Sequence, residues 1–306
     1  MARYLIKRFF LTLPALWLVL TLVFLMIHIV PGDPVEQMLG EGAAPGQLTQ
    51  LRHALGLDLP LHAQYGHYLW QLGRGDLGQS FKFQAPVRQI IFERYPATLE
   101  LAFLALIVCA AIAIPAGMLA AYRRGHTADR AVGVFTLFGL AFPNFALGPV
   151  LILLFSIELG LLPVSGRGGP LYYVLPAATL GAALAAILTR MVRGAMLEEL
   201  SSDYVRTAKA KGLSTRVVLL RHAFRNALIP IITILGLQFG TLLAGTIVTE
   251  TIFSWPGIGR LTVQAISSRD YPLLQGCILV IAVSYVAVNL LTDLLYAVID
   301  PRVRLS

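Results

Sequence analysis

Long apolar runs alternate with short polar segments over most of the 306-residue chain. Six of these runs have about 20 residues or slightly more, the length that an α-helix needs to cross the hydrocarbon core of a bilayer. They lie at residues 9–30, 97–121, 131–157, 174–196, 228–248 and 276–299. The pattern therefore predicts an all-α polytopic membrane protein with six transmembrane helices.

The polar segments divide the chain into three parts. Residues 1–30 hold the N-terminal segment and the first helix, and residues 31–96 form a segment of mixed charge with many Gly and Pro. Residues 97–306 contain the other five helices and a basic loop at about 199–227. The first run is predicted to be a retained helix, because it is longer than a signal-peptide core and ends in VPGDP instead of a small-residue cleavage site.

The distribution of basic residues predicts the orientation. If both termini are cytoplasmic, 16 of the 24 Lys and Arg residues lie on the inner side, as the positive-inside rule requires. Residues 31–96 are then periplasmic. The composition, 57% hydrophobic and 13% charged with a mean hydropathy of +0.74, excludes a soluble domain. The net charge of +8 follows from this topology and indicates no nucleic-acid partner.

A few polar residues interrupt the apolar runs. The third run contains the sequence AFPNFALGP, whose two prolines predict a kink or break near mid-membrane. The fourth run is rich in Ala and Gly, which allow neighbouring helices to approach closely. Candidate residues of a transport pathway are Asn144, Gln238, Asn289 and Asp293. Hydrogen bonding between helices is an equally open interpretation.

Catalytic and metal sites are not predicted. The helices contain no Ser-His pair, paired Asp or metal-ligating cluster, and the histidines His53, His62 and His67 lack a carboxylate or Cys to complete a ligand set at close spacing. The chain has no phosphate-binding G-x-x-x-x-G-K-[ST] loop. We therefore expect no bound cofactor and an energy source outside this chain.

The basic loop has a regular internal pattern. Ser202 and Asp203 are suited to start a helix, and good helix-forming residues follow them. Gly212 permits a turn at the end of that helix, and Ser214 and Thr215 can start a second one. The loop is predicted to be a helix, a glycine turn and another helix at the inner membrane surface. An amphipathic helix that binds anionic lipid is the alternative.

This arrangement resembles the cytoplasmic coupling loop of ABC importer permeases. Arg206, Thr207 and Ala208 occupy the positions of the family's Glu-Ala-Ala pattern, so the Glu is absent, while Gly212 and Pro230 match its Gly and Pro. The segments DYVRTAKAKGLS, RHAFRNALIP and WPGIGR are similar to those of the dipeptide, oligopeptide, glutathione and nickel branch. The similarity extends over nearly the whole chain.

The resemblance implies a non-catalytic permease subunit in the inner (cytoplasmic) membrane of a bacterium. Its partners would be a second related permease, two ATPase subunits that hold ATP and Mg²⁺, and a periplasmic solute-binding protein. Peptides, glutathione or a nickel complex would be the transported solutes. An ion-coupled secondary transporter that works without ATPases is the alternative.

The resemblance also assigns residues to two surfaces. The contact with the ATPases would involve Asp203, Arg206, Thr207, Ala208, Lys209 and Gly212, with Ala208 and Gly212 allowing close seating. The periplasmic gate or the contact with the binding protein would involve Trp255, Gly257, Arg260 and Asp270.

Overall fold

The computed structural model describes residues 2–29, 35, 45–54 and 56–299, with the backbone alone at residues 2–9, 26–29, 45, 51, 54, 144 and 296–299. Helices make up most of this part of the chain, and it contains no β-strand. The fold is therefore all-α, as the apolar runs predicted.

The helices follow one another with short connections. In chain order they are α1 (Ala2–Ile29), α2 (Pro45–Ala54), α3 (Leu61–Gly73), α4 (Val87–Tyr122), α5 (Thr127–Ala141), α6 (Asn144–Leu151), α7 (Leu171–Ser201), α8 (Asp203–Ala210), α9 (Phe224–Gly245), α10 (Ile247–Ile252), α11 (Ile258–Ser267) and α12 (Tyr271–Ile299). Two π-helical segments, π1 (Ile152–Glu158) and π2 (Val218–Ala223), continue α6 and precede α9. A single turn, Thr215–Val217, leads into π2.

Four continuous helical stretches in the described residues are long and apolar enough to span a membrane. They are α4, α7, the stretch Thr215–Gly245 that ends with α9, and Tyr271–Leu295 of α12. The bent pair α5 and α6–π1 makes a fifth if it is one span, and α1 contributes a shorter apolar stretch, Phe10–Leu25. The chain is a multi-pass membrane protein, and the number of six spans stays a prediction.

Helix α4 begins at Val87, whereas the sequence pattern placed its start at residue 97. Pro96 lies inside the helix, which continues through it. The first turns are held by burial, since Val87 and Ile91 pack in a cluster with Ile258 of α11 and Leu273 of α12. This apolar contact outweighs the loss of one helical hydrogen-bond donor at the proline.

The proline-containing sequence in the third run breaks the helix as predicted. Helix α5 ends at Ala141, Phe142 and Pro143 adopt an extended backbone, and α6 begins at Asn144. The two arms are bent by 106°.

Helices α4 and α7 form the central pair of the bundle, and small residues let them approach closely. A Cβ atom on Gly181 of α7 would lie 2.6 Å from the backbone oxygen of Ala105 on α4. A Cβ atom on Gly117 of α4 would lie 2.7 Å from the Cβ of Val192 on α7. The Ala- and Gly-rich composition of the fourth run therefore does what was predicted, because larger side chains would separate the two helices.

One apolar cluster joins this pair to the basic loop. Leu188, Val192 and Met196 of α7 are buried together with Ala223, at the end of π2, and Ile231 of α9. The loop at about 199–227 is thus connected at both ends to the core of the bundle.

Candidate functional site

Helix α8 and its glycine turn form the site that the basic loop predicted. Ser202 has an extended backbone and precedes the helix, and Asp203 places a negative charge in the first turn, where the helix dipole favours it. After the helix, Gly212 has a φ of +76°, and its N–H donates to Lys209 O at 3.0 Å. A left-handed backbone of this kind favours glycine. The predicted helix, glycine turn and second helical element are all present.

The buried face of α8 lies against the chain itself. Val205 has no exposed surface and Ala208 is 6% exposed, and both pack with Val218 of π2 and Leu200 at the end of α7. The predicted role of Ala208 is close seating against a partner. The structure instead places Ala208 on the internal face, where it lets α8 lie close to π2.

The opposite face of α8 is exposed. Of the predicted coupling residues, Asp203, Arg206, Thr207, Lys209 and Gly212 are on this exposed side. Arg206 Nη1 is 3.3 Å from Asp203 Oδ1, but both side chains are more than three-quarters exposed, so this ion pair contributes little to stability. The basic side chains are therefore available to a partner surface.

Tyr204, which was not among the predicted site residues, connects α8 to α7. Its hydroxyl donates a 2.5 Å hydrogen bond to Glu199 Oε2 near the end of α7. Burial and the bond to Glu199 raise the pKa of Tyr204, while the nearby side chain of Asn226, in the first turn of α9, opposes the rise.

A basic residue near the end of α7 also has a fixed partner. Arg193 of α7 donates from Nε to Asp129 Oδ1 at 2.7 Å and from Nη2 to Asp129 Oδ2 at 2.9 Å. Asp129 also accepts the N–H of Gly125 at 3.0 Å. An arginine at the end of an apolar run ordinarily extends towards lipid phosphate. Arg193 does not, because a bidentate pair holds its guanidinium against the start of α5.

The pathway candidates occupy different environments. Gln238 of α9 is buried, donates from Nε2 to Leu184 O at 3.3 Å and accepts from Cys109 Sγ at 3.5 Å. It therefore joins three helices. The Oδ1 of Asn289 is buried without a hydrogen-bond partner among the described residues, and Asp293 is half-buried on the same helix. The side chain of Asn144 lies outside the described residues.

The WPGIGR segment surrounds one buried carboxylate. Glu250 of α10 has no exposed surface, and its Oε2 accepts the N–H of Arg260 at 3.0 Å in the first turn of α11. Any Cβ on Gly257 would collide with this carboxylate. Trp255 is fully buried and its Nε1 donates to Ala97 O at 2.9 Å. Glu250 was not among the predicted site residues.

Asp270 has the same kind of environment at the start of α12. It is fully buried, and its Oδ2 accepts from Ser80 Oγ at 2.5 Å and from Lys82 N at 3.0 Å. Its Oδ1 accepts from Leu273 N at 3.2 Å. Of the four predicted periplasmic residues, Trp255, Gly257 and Asp270 are thus buried and hold neighbouring segments in place, while Arg260 is half-exposed.

The three histidines of the segment before α4 lie apart from these sites. His53 Nδ1 is 2.6 Å from Asp58 Oδ2, and this hydrogen bond raises the pKa of His53. His62 and His67 are exposed. Within the described residues, no group of three or more His, Cys, Asp or Glu side chains is arranged to hold a metal ion.

An exposed basic helix that ends in a glycine turn thus lies between two helices long enough to span a membrane. Residues 113–305 match the family described as binding-protein-dependent transport system inner membrane component, and residues 1–102 match the N-terminal family of the same components. The chain belongs to this family. It is a non-catalytic permease subunit of an ABC importer.

Relatives and a solved structure agree with this assignment. The chain is 43% identical to the dipeptide transport system permease protein DppB of Escherichia coli (strain K12), over 99% of each chain. It is also 43% identical to the glutathione transport system permease protein GsiC of the same strain, over 99% of each chain. An inward-facing structure of the MetNI methionine ABC transporter matches 69% of this chain and 97% of its own, with a TM-score of 0.58 and 16% identity. That likeness shows the permease fold.

Proposed function

We propose that this chain forms half of the translocation pathway of an ATP-driven importer in a bacterial inner membrane and is moved by cytoplasmic ATPases through α8. The observation that carries the proposal is the position of α8. Its apolar face is seated on π2, and its other face carries exposed basic side chains. A helix exposed in this way can enter a cleft on a partner without disturbing the core of its own chain.

The motion is a change in packing driven from outside. ATP and Mg²⁺ are held by the ATPase subunits, and closure of the two ATPases moves α8 as a rigid element. The adjoining helices α7 and α9 follow, because the cluster around Val192, Ala223 and Ile231 joins them to the loop. A second, related permease completes the pathway, and a periplasmic binding protein delivers the solute.

The transported solute is proposed to be a peptide or a related small molecule. Relatives that are named as dipeptide and glutathione permeases are equally similar to this chain, at 43% identity. Both names describe short molecules with peptide bonds. Nickel complexes are the third candidate, from the sequence resemblance.

The contact with the ATPase is tested by cross-linking from α8. Ala210 is exposed at the end of the helix, and the chain's own cysteines, Cys109 and Cys277, are both buried. In the assembled importer, Ala210→Cys is expected to cross-link to the ATPase subunit with a short thiol-reactive linker. Ser267→Cys, exposed on α11 at the predicted periplasmic side, is the matched control and is expected to give no such product.

Two results would contradict the proposal. One is labelling of Ala210→Cys only from the periplasmic side. The other is full uptake by this chain in membranes that contain no ATPase subunit, which would favour the ion-coupled alternative. Uptake of labelled dipeptides, glutathione and nickel, each measured with its binding protein, identifies the solute.

A further inference from the structure

One phenolic hydroxyl beside the proposed ATPase contact links two helices and lies close to a third. Tyr204 is in the first turn of α8, Glu199 is in the last turn of α7, and Asn226 is in the first turn of α9. The Tyr204 hydroxyl donates to Glu199 Oε2 at 2.5 Å, and the side chain of Asn226 is near enough to act on the pKa of Tyr204. The helix that receives the force is thus hydrogen-bonded to α7, one of the two helices that must move.

The apolar contact beneath α8 cannot by itself transmit movement from α8 to the adjoining helices. Val205 and Ala208 pack against Val218, and such contacts are non-directional and roughly proportional to the buried area. They resist separation of α8 from π2 but resist sliding only weakly. A hydrogen bond has a preferred length and angle, so it transmits displacement in a defined direction.

The chemistry of the Tyr204–Glu199 hydrogen bond suits this task. Burial raises the pKa of Tyr204, so its hydroxyl stays protonated at neutral pH and remains a donor. The acceptor is a carboxylate, and hydrogen bonds to ionised groups are shorter and roughly twice as strong as those between neutral groups. The Tyr204 side chain is also 36% exposed, so its hydroxyl is not needed to complete a buried core.

We propose that Tyr204 is a positioning residue for energy coupling: through its hydrogen bond to Glu199 it fixes the angle of α8 to α7, so that ATPase closure becomes movement of the membrane-spanning helices. This inference rests on the proposed function. Tyr204 holds α8 in position relative to its neighbours and need not contact the ATPase itself.

The test is Tyr204→Phe in the complete importer, with its partner permease, ATPases and binding protein, reconstituted in liposomes. The substitution keeps the ring and removes the hydrogen bond to Glu199. We expect the number of solute molecules imported per ATP hydrolysed to fall about tenfold, the factor that corresponds to one charge-assisted hydrogen bond. ATP hydrolysis and the cross-link from Ala210→Cys should persist, because the outer face of α8 is unchanged.

Three further variants separate coupling from general damage. Tyr122→Phe makes the same chemical change at an exposed tyrosine at the inner end of α4 and should leave the ratio unchanged. Glu199→Gln retains an acceptor and should retain most coupling. Glu199→Leu removes the acceptor and should reproduce Tyr204→Phe.

The outcomes distinguish this inference from the proposed function. A normal import-to-ATP ratio in Tyr204→Phe, with the Ala210 cross-link present, overturns the inference and leaves the proposed function intact. An equal loss in Tyr122→Phe also overturns it. Absence of the cross-link in the otherwise unaltered importer overturns the proposed function, and the inference with it.

Discussion

The Oγ1 of Thr98 on α4 donates a 2.7 Å hydrogen bond to Oε1 of Glu250 on α10, 152 residues further along the chain. The same Oγ1 accepts the N–H of Ile258 at 2.8 Å, and Glu250 Oε2 accepts the N–H of Arg260 at 3.0 Å. Helix α11 therefore begins against a buried carboxylate, which its dipole favours. One threonine and one glutamate fix α4, α10 and α11 together at the predicted periplasmic side.

Replacing Thr98 by Val is expected to destabilise this junction. Valine has nearly the same shape but leaves the buried Ile258 N–H without its acceptor and Glu250 without one donor. Each such group costs about 1–3 kcal/mol. The thermal unfolding midpoint in detergent should fall, whereas Thr98→Ser, which keeps the hydroxyl, should stay near the original value. Equal midpoints for the Val and Ser variants would show that the hydroxyl does not stabilise the junction.

Replacing Glu250 by Leu should also destabilise the protein, although the two side chains have similar size. The change leaves the Arg260 N–H and the hydroxyls of Thr98 and Thr246 without their acceptor. We expect a lower unfolding midpoint and loss of uptake, measured on membranes matched for the amount of protein. Glu250→Gln should be milder, because its amide oxygen can accept the Arg260 N–H and the threonine hydroxyls can accept from its NH₂. A Glu250→Leu variant as stable as the original would contradict a stabilising role for this side chain.

The Asp129–Arg193 pair is expected to contribute measurably to the contact between α5 and α7. The pair is bidentate, but the Arg193 side chain is 35% exposed, so solvent screens it and a coupling energy of about 1 kcal/mol is appropriate. A double-mutant cycle with Asp129→Ala, Arg193→Ala and the combined variant measures this energy from unfolding midpoints. Strict additivity of the two single changes would mean that the pair contributes nothing.

Two glycines of α7 should respond oppositely to the same substitution. In Gly181→Ala the new Cβ would lie 2.6 Å from Ala105 O, so α4 and α7 must separate and the unfolding midpoint should fall. In Gly194→Ala the new Cβ meets nothing within 4 Å, and the higher helix propensity of Ala, about 1 kcal/mol, should keep or raise the midpoint. Destabilisation by both variants to the same extent would contradict the close packing of α4 and α7.

Local patterns predicted much of this fold, and their failures have a common cause. Run lengths, the proline break at residues 142–143 and the glycine turn at Gly212 are properties of neighbouring residues, and each was predicted. The partners of Arg193, Glu250 and Asp270 lie 64, 152 and 190 residues away along the chain. Such pairings depend on how the helices pack, which hydrophobic periodicity does not specify.

The assignment of Ala208 shows the same limit within the proposed site. The spacing of Val205, Ala208 and Gly212 predicts one common face; the structure buries Val205 and Ala208 together and exposes Gly212. The pattern could not determine which surface the buried face would meet. Because Val218 of π2 lies beneath α8, the buried face of α8 meets this chain and not a partner. Tyr204 was not predicted for a related reason, since its hydrogen-bond partner, Glu199, belongs to another helix.

Gly212 offers the sharpest test of the coupling role. Its φ of +76° makes any side chain strained, by about 1–2 kcal/mol for most residues and less for Asn and Asp, but a Cβ there would meet nothing within 4 Å. Gly212→Asp and Gly212→Asn should therefore both fold and insert in normal amounts. The Asp variant alone adds a negative charge to the exposed turn, where the partner contact is proposed. We expect it to lose most of its uptake while the Asn variant keeps most of its own, and normal uptake by Gly212→Asp at normal expression would count against coupling through this loop.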